Sequence, residues 1–169
     1  MSDLGLSRRA FLGSAAVAAV AAGAGLVVFG RRGGTAEAAE RFEVTKSADE
    51  WRRILGPQRY AVLREGATER AGSSPLDREH RRGTFHCAGC GQPLFSSATK
   101  FDSGTGWPSF FRPLPRAIGT STDRRLGYAR TEVHCARCGG HLGHVFPDGP
   151  PPTGRRYCMN GVAMTFRAA

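Results

Sequence analysis

Two short segments share one form, Cys87-Ala88-Gly89-Cys90-Gly91 and Cys135-Ala136-Arg137-Cys138-Gly139. Two residues between cysteines let both sulfurs point at one ion, and a glycine after the second lets the backbone turn beneath them. Two such knuckles on adjacent hairpins make a closed, tetrahedral four-cysteine Zn²⁺ site, with one ion held by Cys87, Cys90, Cys135 and Cys138. The 44 residues between Cys90 and Cys135 exceed compact zinc-ribbon spacing, so other pairings stay open at this level. Each pair could be a redox CxxC, although neither opens a helix in a βαβ pattern. The four could form two disulfides. Cys135, Cys138, His141 and His144 could also form a two-cysteine, two-histidine cluster alone.

The text around the knuckles agrees with a domain that needs such a staple. After Gly83, short runs such as "TFHC", "PLFSS", "AIGTST", "LGYARTEVHC", "HLGHVF", "RRYCMNG" and "VAMTFR" are separated by Gly, Pro and Asp. These are strand lengths with no room for crossover helices. "TDRRLG" around Asp123 reads as a hairpin connection, and "PDGPPPTG" as a rigid loop delivering the chain into "RRYC". Ahead of them, "SADEWRRIL" has Ser47 as N-cap with Glu50 three residues on, a capping box. Trp51, Ile54 and Leu55 follow at helical spacing, and Gly56-Pro57 stops the turn. "QRYAVLREG" is a second short helix, with Tyr60, Leu63 and Val62 facing inward, and "ATERAGSSPLDREHRRG" is a polar covering loop. The expected core is therefore a small antiparallel β domain with a helical N-terminal cover, a thin core to which a bound metal adds folding free energy.

Residues 1–38 are set aside from the fold. "SRRAFLG" at 7–13 is a twin-arginine pair followed by Phe11 and Leu12, and a weakly apolar run extends from Ala15 to Phe29. Together they resemble a twin-arginine (Tat) export signal, with small residues at a cleavage site, Ala36-Glu37-Ala38. The competing reading is an uncleaved membrane anchor, since Ala10 to Gly30 is about the length of a bilayer span. The expected layout is a signal peptide at 1–38, a linker at 39–46 and a folded domain at 47–169, placed in the periplasm or cell envelope. Membrane contact is then confined to the signal. Residues 39–169 carry 20 Lys and Arg against 12 Asp and Glu. The arginines are scattered and do not alternate with aromatics, which argues against nucleic acid. Monomer is the default state.

An exported chain meets an oxidising compartment, where an odd cysteine is a reactive thiol or the partner of another chain. Cys158 is that cysteine. Arg155 and Arg156 precede it, and on a strand Arg156 shares its face, where a cation favours the thiolate. His141 and His144 lie three apart in "HLGHVF", Trp107 sits on the glycine-rich loop "SGTGWPSF", and Asn160 is two residues beyond the cysteine. Singly, each is more often structural. Together they form the inventory of a site that attacks a small polar group beside an apolar one.

The segments "CAGCGQPLF", "KFDSGTGWPSF", "TEVHCARCGGHLGHVFPDGPPPTGRRYCMN" and "VAMTF" closely resemble the B-type methionine sulfoxide reductases (methionine-R-sulfoxide reductases). The likeness runs from about residue 47 to residue 167. It implies a mainly β fold of two small antiparallel sheets, stapled by the four-cysteine zinc site and preceded by short helices. It also implies an enzyme of oxidative-stress defence, reducing the R epimer of methionine sulfoxide in oxidised proteins. Cys158 would be the nucleophile and would end as a sulfenic acid, with Arg156 favouring its thiolate. Trp107 and Phe146 would hold the substrate, Trp107 against its methyl group, and His141, His144 and Asn160 would bind or protonate the sulfoxide oxygen.

Two departures matter. Many family members carry a resolving cysteine where this chain has Thr105, and the other four cysteines here are committed to zinc. Regeneration then falls to an external thiol, such as a thioredoxin-like protein. Gly161 stands where the family usually has Ser, which would loosen Asn160 or mark a strand bulge. The rival to the enzyme reading is a zinc-ribbon-like binding module without catalysis. A thiol-disulfide oxidoreductase using one CxxC is a third.

Overall fold

The computed structural model describes residues 41–169, so the twin-arginine segment, the apolar run and Ala36–Ala38 lie outside the described residues. No helix among the described residues is long and apolar enough to cross a membrane. Residues 42–44 of the expected linker are seated on the second knuckle. The Phe42 ring meets His134 edge-on at 5.7 Å, and the Val44 N–H donates to the Arg137 carbonyl at 3.0 Å.

Helix α1 spans Ala48–Glu65 and opens on the expected capping box: the Ser47 hydroxyl accepts from Glu50 N–H while the Glu50 carboxylate accepts from Ser47 N–H. At Gly56 the backbone takes φ 68° and ψ 173°, so α1 is two helical pieces kinked where Gly-Pro interrupts the pattern. Trp51, Leu55, Val62 and Leu63 are buried. Ile54 is 53% exposed, because one residue's rotation carries it off the face that Leu55 occupies. Arg64 ties the helix down, stacking on Trp51 at 4.2 Å and donating twice to the Cys138 carbonyl.

The rest is mainly β, as expected, in two antiparallel sheets. The first contains β1 (Gly83–Cys87), β2 (Pro93–Ser96) and β9 (Met164–Ala168) in the order β2-β1-β9. The second contains β3 (Lys100–Phe101), β4 (Ser109–Phe110), β5 (Ile118–Asp123), β6 (Arg130–Cys135), β7 (His141–Phe146) and β8 (Arg156–Met159). Its order is β3-β4-β8-β7-β6-β5. The two-residue strands β3 and β4 carry no alternation that a sequence pattern could reveal. Between the sheets runs an aromatic seam. Phe95 of β2 stacks on Phe110 of β4 at 4.3 Å, and Phe85 of β1 meets Phe110 edge-on at 4.9 Å. All three are fully buried, and each such ring stabilises the fold by about 1.5–3 kcal/mol through burial alone.

One knuckle closes the β1–β2 hairpin of the first sheet, the other the β6–β7 hairpin of the second. Both turn alike, with Gly91 N–H donating to the Cys87 carbonyl and Gly139 N–H to that of Cys135. Their four sulfurs all lie within 4.8 Å of one another, at 3.8 Å for Cys87–Cys138 and 3.5 Å for Cys90–Cys135. These are not disulfides, and all five cysteines are free. A tetrahedron of thiolates about 2.3 Å from Zn²⁺ has edges of about 3.8 Å, so the donor set fits such an ion. The cluster can hold a metal ion and joins the two sheets at one end.

Candidate active site

Strand register lines up five side chains across the larger sheet: Ser121 of β5, Glu132 of β6, His144 of β7, Cys158 of β8 and Ser109 of β4. Acidic residues are depleted in strands, so Glu132 in mid-strand is a signal. Above this row lies a pocket of about 150 Å³ whose walls include Cys158, His144, Trp107, Phe146 and Asn160. Residues 53 positions apart in sequence meet there, since Thr105 Oγ1 is 3.9 Å from Cys158 Sγ. The β7–β8 approach is close: a Cβ on Gly143 would run into the Cys158 carbonyl oxygen, so only glycine fits between the histidines.

Cys158 is partly buried, and that burial raises its thiol pKa above the ordinary value. The Thr105 hydroxyl, the Arg156 charge and the Ser109 hydroxyl act in the opposite direction without overcoming it. Arg156 does share the face of Cys158, but its guanidinium forks onto Asp148 at 2.8 and 3.0 Å, which holds the Asp148 carboxyl below its usual range. It also lies over the Phe146 ring at 4.6 Å. Arg156 therefore fixes one wall of the pocket and lends Cys158 only part of its charge.

The histidines divide. His144 lines the pocket, and its Nε2 is 2.8 Å from Asp123 Oδ2. The Arg125 backbone N–H, His144 and Arg130 hold the Asp123 carboxyl far below its usual range, and burial lowers the pKa of His144 despite that bond. His144 is accordingly neutral at pH 7 with its hydrogen on Nε2, since a carboxylate can only accept; Nδ1 keeps a lone pair. His141 is not among the pocket-lining residues. The register slips at Leu142, and this bulge puts both histidines on one face with their rings 5.4 Å apart. His141 Nδ1 meets Glu132 Oε1 at 2.6 Å and lowers the pKa of that carboxyl to about 2. The two-cysteine, two-histidine alternative is thereby removed, since each histidine is paired with a carboxylate away from the sulfur cluster.

Asn160 begins a turn of 3-10 helix over Gly161–Ala163, where a bulge was one expectation. Its amide is held at both ends: Oδ1 accepts from Glu69 N–H at 2.9 Å and Nδ2 donates to the Leu142 carbonyl at 3.1 Å. Trp107 Nε1–H donates to the Glu69 carbonyl at 3.1 Å. The Glu69 carboxylate in turn accepts the backbone N–H groups of Gly161 and Val162.

Glu69, buried at 8% exposure, thus binds Trp107, Asn160 and the following turn into one unit. Sequence reading missed it because it lies in an unperiodic polar loop with no local mark. Thr68, which also lines the pocket, lies in the same loop, whereas Asp123 and Arg130 are strand-end residues whose link to His144 and the pocket is made by the fold.

Residues 55–168 match the model of the SelR domain. A peptide methionine sulfoxide reductase MsrB of Agrobacterium fabrum is 54% identical over 125 residues, covering 73% of this chain and 93% of its own. One from Bradyrhizobium diazoefficiens is 57% identical over 123 residues, covering 72% and 88%. Another from Leifsonia xyli is 53% identical over 128 residues, covering 75% and 92%.

Proposed function

This chain belongs to the SelR-domain family, and we propose that it reduces the R epimer of protein-bound methionine sulfoxide to methionine, with Cys158 as the nucleophile. The observation that carries this reading is the meeting of Cys158, His144, Trp107 and Phe146 in one small pocket. Its relatives' shared name, peptide methionine sulfoxide reductase, supports it. A zinc-ribbon-like binding module would need no nucleophile, no neutral imidazole and no apolar wall in one cavity.

The thiol proton of Cys158 passes to Nδ1 of His144, and Asp123 stabilises the resulting imidazolium. The thiolate attacks the sulfoxide sulfur, whose methyl group rests against the Trp107 ring. The imidazolium returns its proton to the departing oxygen, which ends on the cysteine: methionine leaves and Cys158 is a sulfenic acid. The substrate sulfur is reduced by two electrons and the cysteine sulfur oxidised by two. A first external thiol displaces the hydroxyl as water and forms a mixed disulfide. A second releases Cys158 and leaves the external disulfide. No cysteine of the chain takes that role, since the other four sit in the sulfur cluster. Cys87, Cys90, Cys135 and Cys138 would hold zinc there, where it would serve the fold rather than the reaction.

Residues 1–38 carry the chain through the twin-arginine pathway to the cell envelope, where the thiol donor must itself be supplied with electrons. Support comes from Arg8-Arg9, the apolar run and the small residues at 36 and 38. Replacing both arginines with lysine should keep the protein out of the periplasmic fraction; unchanged export would overturn this.

A single turnover tests the chemistry. Mixed with excess R-sulfoxide peptide and no thiol, the protein should release one methionine per chain and leave dimedone-reactive Cys158. Methionine release without any adduct on Cys158 would reject the mechanism.

A further inference from the structure

A pocket of about 150 Å³ is smaller than the 300–1,000 Å³ of ordinary ligand sites. It takes little more than the end of one side chain, so most of a polypeptide substrate must lie on the surface around its mouth. The β5–β6 hairpin stands at that mouth. Asp123 and Arg130 pair across its base, the Asp123 carboxylate binds both Arg130 at 2.6 Å and His144, and Arg130 lines the pocket. The Arg130 guanidinium lies 5.9 Å from the centre of the Tyr128 ring.

Beyond that base every residue of the tip, 124–129, is exposed. Turn positions usually carry small or polar residues, yet Leu126 is 61% and Tyr128 60% exposed. They are two of the three large apolar side chains that the described residues leave in solvent. Arg124 and Arg125 stand beside them. Among the described residues neither side chain pairs with a carboxylate, and that of Arg125 donates only to the Glu65 carbonyl. One tip therefore offers two apolar contacts and two arginines without a carboxylate partner, continuous through Arg130 with the pocket that holds Cys158.

We infer that this tip is the docking surface for the polypeptide flanking the oxidised methionine, and that it selects segments carrying acidic side chains beside it. The inference rests on the reductase reading of the Cys158 pocket. The apolar pair grips the neighbouring chain, and the arginines make exposed ion pairs with Glu or Asp.

The test uses the full chain with dithiothreitol and three R-sulfoxide substrates: the blocked single residue (N-acetyl, C-terminal amide), a Glu-flanked pentapeptide and a Lys-flanked one. kcat/KM for the Glu peptide should exceed that for the Lys peptide by about fivefold, the upper range of one exposed ion pair. The ratio should shrink toward one as salt rises to about 0.5 M, where screening is complete within a few ångströms. Arg124→Glu should abolish or invert the ratio, and Leu126→Ser should lower kcat/KM for both peptides. Both variants should keep blocked-residue turnover within about twofold, which also shows that they fold. No flank preference in the wild type, or an unchanged ratio in Arg124→Glu, overturns the inference while leaving the reductase reading intact. Failure to turn over any of the three substrates overturns the reductase reading and takes the inference with it.

Discussion

Thr105 Oγ1 stands 3.9 Å from Cys158 Sγ, on the loop that also carries Trp107. The hydroxyl occupies the place from which a second sulfur could reach the first. Thr105→Cys should therefore give a disulfide to Cys158 after one turnover, with the loss of two hydrogens visible by intact mass. An introduced thiol that stays reduced while Cys158 is oxidised would contradict this placement.

Asp123 is the support of His144, and its removal should show in the pH profile as well as in the rate. Its bond raises the pKa of His144, against the larger effect of burial. In Asp123→Asn the imidazolium loses that support, so the acidic limb of kcat/KM moves to still lower pH while kcat falls by about 10²-fold. A slower enzyme with an unmoved limb would reduce Asp123 to a structural residue.

Gly161 does not loosen Asn160, because Ser74 fills the space. A Cβ at 161 would overlap both the Ser74 hydroxyl and the Ser74 Cβ. Gly161→Ala should destabilise the domain by about 1–3 kcal/mol in urea unfolding. Ser74→Gly loses the bond from Leu76 N–H and should cost about 1 kcal/mol alone. Combined, the two should be less harmful than their sum by at least about 1 kcal/mol. Strict additivity would mean that the residues do not meet.

The sulfur cluster joins hairpins of both sheets, so metal loss should be felt globally. Purified protein should carry one zinc per chain by elemental analysis, and Cys87→Ser should lose it. The melting temperature should then fall by on the order of 10 °C or more. A metal-free variant with unchanged melting would remove the staple from what holds this fold together.

Much of this architecture is legible in the chain because its strong local signals have local causes. Ser47 and Glu50 satisfy each other's backbone within one turn, and each CxxCG unit makes its own knuckle. Cys158 stands out by counting alone. The supports are not legible, because their partners are distant in sequence: Glu69 meets Asn160 across 91 positions and Gly161 across 92. Arg156 illustrates the opposite error. Adjacency gave it the right face, but Asp148, which shares its charge, is brought to it by the fold around the "PDGPPPTG" loop.

The decisive measurement follows separated R and S epimers of peptide-bound methionine sulfoxide with dithiothreitol, for the wild type and a zinc-retaining Cys158→Ser variant. Turnover should be confined to the R epimer and should vanish in the variant while its melting curve stays near that of the wild type. Turnover that survives in Cys158→Ser, or its absence for both epimers in a folded, zinc-loaded wild type, would contradict Cys158 as the nucleophile of a methionine-R-sulfoxide reductase.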